Sequence, residues 1–334
     1  MRGAVIGCGR IGSTLADDPL FRGDIFTHAE AYTKSLQTEL VALCDTDSRK
    51  LAAAGKRWNV GALFTDAREM IAAVSPDIVS ICTPTASHVD VARAVLTSDK
   101  PPRAILCEKP LGKTVHEAEE IVSIATARHA TLSTIYMRRF AKNFIALKSL
   151  IDSGELGDIQ AISGWYVGGT FHNGTHWFDM LRYFAGEVEM VSGLDIRREG
   201  GDDPTFDVTL FMSKRVLATL RARDARRYSV FEMDIMLEKG RAQITDSGHA
   251  ISLSRAAPSP RYTGYVELEP IERDLGDRRD LILHAVEDAV TAVTFGREPA
   301  CTGADGIAAM RIADAASISA RELSGVVVKV EDDQ

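Results

Sequence analysis

The feature that most constrains this chain is the spacing of three glycines in the stretch MRGAVIGCGRIG. Gly7, Gly9 and Gly12 follow a short apolar run at the spacing G-x-G-x-x-G. In a strand-to-helix connection, the first glycine permits a tight turn, the second lets the backbone approach a pyrophosphate, and the third allows close packing of strand and helix. The spacing therefore predicts a dinucleotide-binding unit with the phosphates at a helix N-terminus. An ordinary glycine-rich turn is the alternative, since the chain contains 26 glycines.

Apolar runs and helical patterns alternate through the first half of the chain. Strands are predicted at residues 3–6, 40–44, 78–82, 104–107 and 132–137, and helices at 48–58, 67–74, 88–96 and 115–128. Continuous apolar strands separated by helices indicate a parallel sheet that is covered on both faces. The first half is therefore predicted to be an α/β domain, a Rossmann-type doubly wound parallel sheet.

The second half has a different periodicity. A linking helix is predicted at 141–151, and apolar residues then alternate with polar ones, as at 206–212 and 231–237, with a hairpin turn at 238–241. Helices are predicted again at 282–293 and 303–323, followed by a short strand at 326–330. This pattern predicts an α+β domain with an open, mainly antiparallel sheet. The expected division is a dinucleotide-binding domain at 1–138 and a second domain at 139–334, with the final helix able to pack back on the first.

The composition of the chain indicates which partners it can bind and in which cellular compartment it works. The formal net charge of −8 argues against a nucleic-acid partner, which would favour a basic patch. We expect no membrane association, because no apolar run reaches the length of a membrane span and no signal-peptide pattern precedes Arg2. The five cysteines form no C-x-x-C pair, which favours reduced thiols in a cytoplasmic protein.

An acidic residue ends the second predicted strand. Asp45 follows residues 40–44, where a carboxylate would accept hydrogen bonds from the adenosine ribose hydroxyls and repel a 2′-phosphate, so NAD is favoured over NADP. Asp45 lies 45 − 12 = 33 residues after Gly12, against about 20 in the usual fingerprint. Residues 16–26 therefore look like an inserted loop before a helix near 28–36. A helix N-cap or turn role is the alternative for Asp45, and the nearby Arg49 keeps NADP open.

Two further segments follow the carboxyl ends of predicted parallel strands, where open α/β sheets bind their ligands. The first is Thr83-Pro84-Thr85-Ala86-Ser87-His88, after the strand at 78–82. The second is Glu108-Lys109-Pro110, after the strand at 104–107. Both are predicted to face the cofactor.

Five stretches together resemble the Gfo/Idh/MocA family, the group of glucose–fructose oxidoreductase and inositol dehydrogenase. They are VIGCGRIG, CDTD, DIVSICTPTASH, CEKPLGKT and NGTHWFDMLRYFAGE, and the resemblance covers nearly the whole chain. It implies an NAD(H)-dependent oxidoreductase that acts on a sugar, sugar derivative or cyclitol. It also implies that the second domain binds this substrate and forms a homodimer or homotetramer through its sheet.

The resemblance implies roles for the residues of two of these motifs. Lys109 would be catalytic, since a cationic amine stabilises developing alkoxide charge, and His176 would exchange the hydroxyl proton. A surface lysine and an ordinary helical histidine are the structural alternatives. Many family members have Asp where this chain has His172, which puts the usual Lys–Asp–His relay in doubt. No metal is expected, because the zinc pattern HExxH is missing from the sequence.

The predicted site residues fall into two sets. The cofactor set is Gly7, Gly9, Arg10, Ile11, Gly12, Asp45, Thr83, Pro84, Thr85, His88, Glu108 and Lys109. The substrate set is His172, Asn173, Asp179, Arg138, Trp165 and Tyr166. Two other functions stay open at this point: a glycosidase or epimerase that uses bound NAD for transient oxidation, and a sugar-sensing regulator without catalysis.

Overall fold

The computed structural model describes residues 1–19, 23–198, 201–321 and 328–329. The chain divides into two compact units. The first comprises Met1–Ala141 and Arg279–Ile307, and the second comprises Lys142–Arg278 and the described chain after Ile307. The chain therefore returns to the first unit after building most of the second.

The first unit contains a parallel sheet in the order β3-β2-β1-β4-β5-β6 over the described residues. Its strands are β1 (Arg2–Ile6), β2 (Glu39–Cys44), β3 (Leu63–Phe64), β4 (Ile78–Ile81), β5 (Ala104–Cys107) and β6 (Thr131–Thr134). The strand order reverses at β1, which pairs with β2 on one side and with β4 on the other. This reversal is the switch point beside which doubly wound sheets bind ligands, and it confirms the predicted Rossmann-type sheet.

Helices connect these strands, and the second unit contains helices as well. They are α1 (His28–Lys34), α2 (Ser48–Trp58), α3 (Ala67–Val74), α4 (His88–Leu96), α5 (Val115–Ala127), α6 (Lys142–Asp152), α7 (Thr175–Ala185), α8 (Leu281–Phe295) and α9 (Gly303–Arg321). Several begin at side chains that accept from the free amides of the first turn. Asp47 caps α2, Asp66 caps α3 and Thr114 caps α5. Among the described residues, none of these helices combines the length and apolar character needed to cross a bilayer.

The second unit contains a mostly antiparallel sheet in the order β14-β13-β12-β11-β7-β10-β9-β8-β15. Its strands are β7 (Ile159–Tyr166), β8 (Val188–Leu194), β9 (Asp207–Met212), β10 (Leu217–Ala222), β11 (Glu232–Leu237), β12 (Gly240–Thr245), β13 (Ala250–Pro258), β14 (Val266–Ile271) and β15 (Val328–Lys329). Within this sheet, only the β7–β10 pair is parallel among the described strands. The open, mainly antiparallel sheet is therefore confirmed.

One face of this sheet packs against α7. A Cβ added to Gly164 would overlap the Trp177 ring, and one added to Gly174 would lie 3.2 Å from the Tyr166 ring. Trp177 also contacts Phe231, with ring centroids 4.6 Å apart. The alternating apolar positions of β9 and β11 are buried, as their period-two pattern predicts.

One predicted strand end is wrong, and other predicted boundaries lie outside the described residues. The strand predicted at 132–137 ends at Thr134, and Met137–Phe140 forms a 3₁₀ helix because Arg139 and Ala141 donate their amides backwards within a turn. The end of the helix predicted at 303–323 and most of the strand predicted at 326–330 lie outside the described residues. Part of the inserted loop at 16–26 also lies outside them.

Candidate functional site

The three glycines of the first motif serve different purposes. Gly7 has φ 97°, and an added Cβ would lie 2.6 Å from the carbonyl carbon of Cys82. A Cβ on Gly12 would overlap the carbonyl oxygen of Gly7. A Cβ on Gly9 would meet no atom within 4 Å. The fold therefore requires Gly7 and Gly12, whereas Gly9 borders open space that a ligand can fill.

The chain after Gly12 differs from the expected strand–turn–helix sequence. Thr14–Asp17 forms a 3₁₀ helix, and the first α-helix begins only at His28. The amides of His28 and Ala29 donate to the carbonyl oxygens of Ile11 and Gly12 at 3.1 and 3.0 Å. A 3₁₀ helix thus stands where an α-helix was expected directly after the glycines, whereas the helix predicted near 28–36 is confirmed as α1, whose N-terminus docks on the glycine loop.

Asp45 lies at the end of β2 beside this loop. Its Oδ2 accepts from the Cys8 amide at 2.7 Å, and its Oδ1 accepts from the Asp47 amide at 2.8 Å. The helix N-cap proposed as an alternative for Asp45 belongs to Asp47 instead. Two backbone amides thus fix the carboxylate, and each oxygen has a further lone pair with which to accept from a ligand hydroxyl.

A crevice of about 890 Å³ lies at the carboxyl end of the parallel sheet. Predicted cofactor residues line it: Gly7, Gly9, Arg10, Ile11, Asp45, Thr83 and Pro84. Val91 and Ala94 add apolar wall, and Lys50 and Arg68 add positive charge. Thr85 begins a 3₁₀ turn beside the crevice. The size and mixed lining suit a cofactor-sized ligand.

Thr83 contributes a side-chain hydroxyl to this crevice. Its hydroxyl oxygen is buried and has no hydrogen-bond partner in the structure. A buried polar atom of this kind costs free energy unless a ligand or water satisfies it. Together with the open space at Gly9, it shows that the residues present fit a dinucleotide.

Glu108 and Lys109 follow β5 at the same edge of the sheet. Glu108 is buried and Lys109 is half-buried, and the Lys109–Pro110 peptide bond is cis. Oε2 of Glu108 accepts from the Lys109 amide at 3.3 Å. Oε1 of Glu108 lies 3.2 Å from Nε2 of His28, which is fully buried. Glu108 is thus part of a buried network at the residue before the predicted catalytic lysine.

His88 is placed behind the crevice. It is 1% exposed, and its Nε2 lies 2.9 Å from the Thr83 carbonyl oxygen. Its Nδ1 lies 3.1 Å from the Pro110 carbonyl oxygen. Because both ring nitrogens are engaged with protein carbonyls, any part that His88 takes in cofactor binding must pass through its neighbours.

The predicted substrate residues of the second unit cluster around the start of α7. Residues 169–174 form a π-helical turn that continues into this helix. The helical conformation therefore extends back past His172, which is exposed. Asp203 accepts from the amides of Phe171 and His172, both at 2.8 Å. Asn173 donates its Nδ2 to the Val167 carbonyl at 2.9 Å, so this turn is fixed from two sides.

His176 and Asp179 lie on the first turns of α7. Asp179 is fully buried, and His176 is 7% exposed. Residues three apart share a helix face, so an acidic side chain accompanies this histidine. The start of α7 therefore carries a carboxylate and an imidazole on one face.

Three predicted substrate residues have other surroundings. The Tyr166 ring is fully buried, and its hydroxyl donates to the Phe206 carbonyl at 2.7 Å. The structure therefore gives Tyr166 a core role instead of a substrate contact. Trp165 precedes it in β7, and because side chains alternate along a strand, it lies on the face opposite to α7 and is not brought together with His176. Arg138 is buried in the 3₁₀ helix of the first unit.

Sequence reasoning missed two sets of residues around these sites. His28, Ser80 and Tyr32 form the buried network behind Glu108, and Asp203 holds the turn at His172. No local signal identifies them, because each contacts its partner across more than thirty positions of sequence or from a separate strand. Among the described residues, no group of three or more His, Cys, Asp and Glu side chains is arranged to hold a metal ion.

The sequence is similar to a known protein family and to known dehydrogenases. The family model described as "Oxidoreductase family, NAD-binding Rossmann fold" matches residues 1–136. Inositol 2-dehydrogenase of Rhizobium meliloti (strain 1021) is 27% identical, with 96% of this chain and 97% of that protein covered. Myo-inositol 2-dehydrogenase of Thermotoga maritima is 25% identical, with 98% of each covered.

A solved structure extends the likeness of fold over the whole chain. Levoglucosan dehydrogenase in complex with NADH and levoglucosan superposes with a TM-score of 0.82 at 18% identity. The match covers 99% of this chain and all of that one. At this identity, the match shows a shared fold.

Proposed function

We propose that the chain is a Gfo/Idh/MocA oxidoreductase that transfers a hydride between NAD and a hydroxyl-bearing carbon of a sugar, sugar derivative or cyclitol. The observation that carries this proposal is the crevice in which Gly9 borders open space, Asp45 presents a fixed carboxylate and Thr83 offers an unpartnered hydroxyl. The two curated relatives named above are inositol dehydrogenases, which favours a polyhydroxylated substrate.

Each end of the cofactor has residues suited to it. The glycine loop with Arg10 would take the pyrophosphate, and Asp45 would accept from the adenosine ribose hydroxyls. Thr83 and Pro84, with Glu108, would lie toward the nicotinamide end. A bound NAD supplies the hydride acceptor. Asp45 would repel the 2′-phosphate of NADP, which supports NAD as the cofactor.

Lys109 and His176 are the proposed catalytic residues. Oxidation of an alcohol removes a proton from oxygen and a hydride from carbon, so negative charge develops on the oxygen. The Lys109 ammonium would stabilise that charge, and His176 would take the proton as a general base. The carboxylate of Asp179 on the same helix face supports the imidazolium that results. His172, Asn173 and Arg138 are proposed to bind the substrate.

The two parts of the chain have different proposed functions. We propose that residues 1–138 bind the cofactor and that 139–334 bind the substrate and mediate homo-oligomerisation. Trp165, Leu217 and Met236 are exposed apolar side chains on one face of the large sheet, and such a face supports a homodimer or homotetramer. All five cysteines are buried, and buried thiols suit a reducing cytoplasm. Sedimentation of the purified protein would test the oligomer.

One experiment tests the proposed function directly. A panel of inositols, sugars, sugar acids and aminosugars is screened for NADH formation at 340 nm, with Lys109→Ala as the blank. NADH formation that depends on one of these compounds and on Lys109 supports a dehydrogenase. Tightly retained NAD with substrate turnover but no net NADH would point to the glycosidase or epimerase alternative. Sugar binding with no turnover would point to a regulator.

A further inference from the structure

We infer that two buried histidines, His28 and His88, are positioning residues for Lys109. They hold the residues on either side of this lysine and tie each to one loop of the cofactor crevice. The inference rests on the proposed catalytic role of Lys109. The name "108–111 segment" is used below for Glu108-Lys109-Pro110-Leu111, which follows β5.

His28 acts on the first residue of the 108–111 segment. Its ring Nε2 lies 3.2 Å from Glu108 Oε1, and the other oxygen of this carboxylate accepts from the Lys109 amide at 3.3 Å. The backbone amide of His28 donates to the Ile11 carbonyl of the glycine loop at 3.1 Å. A single residue therefore connects the glycine loop to the residue before Lys109.

The hydrogen bonds behind His28 set the direction in which its ring donates. Nδ1 lies 2.8 Å from Ser80 Oγ, which lies 3.0 Å from the Tyr32 hydroxyl. Burial holds the pKa of the Tyr32 phenol well above its ordinary range, so this phenol keeps its proton and can donate it to Ser80. Ser80 then donates to Nδ1, which leaves Nε2–H to donate to Glu108.

This chain of hydrogen bonds is suited to orientation instead of proton transfer. Tyr32, Ser80 and His28 are all fully buried, and the chain ends at a phenol that does not ionise near neutral pH. A route that delivers protons to solvent would need an exposed end. The chain therefore fixes the orientation of Glu108 and, through it, of the Lys109 backbone.

His88 acts on the other side of the lysine. Its Nδ1 lies 3.1 Å from the Pro110 carbonyl oxygen and 3.3 Å from that of Leu111, while Nε2 lies 2.9 Å from the Thr83 carbonyl oxygen. Carbonyl oxygens only accept hydrogen bonds, so a ring nitrogen that bonds to one of them must carry a hydrogen, and the ring donates on both sides only when both nitrogens carry one. His88 thus connects the residue after Lys109 to the loop that carries the unpartnered Thr83 hydroxyl.

The consequence is that the backbone of Lys109 is held on both sides by groups that also hold the cofactor loops. A displacement of about 1 Å in a catalytic group can cost about a hundredfold in rate. Loss of the His28 bonds would therefore lower kcat more than it lowers NADH affinity. Loss of the His88 bonds would lower both, because one of these bonds fixes Thr83.

Four substitutions separate the individual bonds. His28→Phe keeps the ring volume and removes both nitrogens, whereas His28→Gln keeps an amide donor near the place of Nε2. His88→Asn keeps a donor near Nδ1, toward Pro110, and His88→Gln keeps one near Nε2, toward Thr83. His284→Gln is the matched control, because its ring nitrogen bonds instead to the Phe140 carbonyl.

We expect His28→Phe to lower kcat at least tenfold with NADH affinity, measured by fluorescence, changed less than about threefold. His28→Gln should recover most of the loss. His88→Asn should retain kcat and weaken NADH binding, and His88→Gln should do the reverse. His284→Gln should leave both unchanged.

Equal losses in His28→Phe and His28→Gln, or no loss in either, would overturn the role of His28. Identical behaviour of the two His88 variants would overturn that of His88.

Two further measurements distinguish positioning from general damage. Hydrogen–deuterium exchange of a peptide spanning 105–113 should be about tenfold faster in His28→Phe, a readout that needs no activity. In a Lys109→Ala background, His28→Phe should cause no further loss of residual kcat. Unchanged exchange, or a full additive loss, would reject the inference. If Lys109→Ala itself turns over normally, the proposed function fails, whereas the exchange result still tests the structural link.

Discussion

The Cys8 amide donates a 2.7 Å hydrogen bond to Oδ2 of Asp45. The acidic residue at the end of β2 therefore also holds the glycine loop at the end of β1. Its second oxygen accepts from the Asp47 amide, which leads into the N-cap of α2. One carboxylate thus joins three parts of the crevice, and a cofactor that uses Asp45 also uses a group whose position is already fixed.

The first prediction separates the effect of the Asp45 charge from the effect of its hydrogen bond to the glycine loop. Asp45→Asn keeps an oxygen that can accept from the Cys8 amide but removes the negative charge. Hydrogen bonds to a charged group contribute about 1.5–3 kcal/mol, so NAD affinity should fall at least tenfold while NADP affinity falls less or rises. Asp45→Ala should also lower the melting temperature. Equal losses for the two cofactors, measured by calorimetry, would contradict the ribose assignment.

The second prediction concerns Lys109. Lys109→Ala should lower kcat by about a hundred- to a thousandfold, as expected when a group that stabilises developing charge is removed. NADH affinity should change little, because the charge of this lysine matters most in the transition state. Fluorescence titration and steady-state kinetics measure the two effects. Near-normal turnover would show that this lysine has no catalytic role.

The third prediction assigns different roles to the two histidines at the start of α7. His176→Ala should lower kcat by about a hundredfold or more through loss of the general base. His172→Ala should chiefly raise KM, because His172 is exposed and its own backbone is held by Asp203. The pH dependence of kcat in each variant decides between them. If His172→Ala loses the controlling ionisation and His176→Ala keeps it, the roles are exchanged.

The sequence predicts most of the architecture because local patterns determine it. Helices α2, α3 and α4 have the predicted boundaries, and aspartates cap the first two. The period-two runs in the second half likewise predict the buried positions of β9 and β11.

What the sequence does not predict are contacts between distant segments. The glycine loop leads into a 3₁₀ helix at Thr14–Asp17 instead of the α-helix expected there, whereas the helix predicted near 28–36 is present as α1. Tyr166 and Trp165 are neighbours in sequence but lie on opposite faces of one sheet, and only the packing of α7 decides which face is the core. Glu108 meets His28 because the His28 side chain, at the start of α1, reaches both Ser80 of β4 and Glu108 after β5, and no local sequence pattern indicates this contact.

The fourth prediction follows from the buried thiols around the glycine loop. Burial raises the pKa of Cys8 from 9.0 to about 12, with the Asp45 charge adding to the effect. Burial likewise raises the pKa of Cys44 to about 12, with Asp66 and Asp45 adding. In the unfolded chain both thiols would ionise near their ordinary value. The stability they contribute is therefore fully present below about pH 9 and is lost as pH rises toward about 12.

Thermal unfolding between about pH 8 and pH 10.5 tests this sign. The melting temperature of the wild-type protein should fall over this range, and a Cys8→Ala/Cys44→Ala double variant should show a smaller fall. The native thiols should also react slowly with iodoacetamide at pH 8 and rapidly in denaturant, because the thiolate is the nucleophile. A double variant with the same pH dependence as the wild type would contradict the assignment.

The last prediction concerns Asp203, whose carboxylate accepts from the amides of Phe171 and His172. Gly169 packs so closely against this carboxylate that an added Cβ would overlap it. Asp203→Ala would leave both amides without their partner and release the turn that carries His172. Loss of these charge-assisted bonds should cost about 1.5–3 kcal/mol of stability and should raise the substrate KM more than it lowers kcat.

Asp203→Asn is the matched control for this prediction. Its amide oxygen can still accept one of the two bonds, so its melting temperature and KM should lie between those of the wild type and Asp203→Ala. NADH affinity should be the same in all three proteins, because the cofactor crevice is built by the first unit. If Asp203→Ala lowers NADH affinity as much as it raises the substrate KM, the effect of Asp203 is general destabilisation and not the positioning of His172.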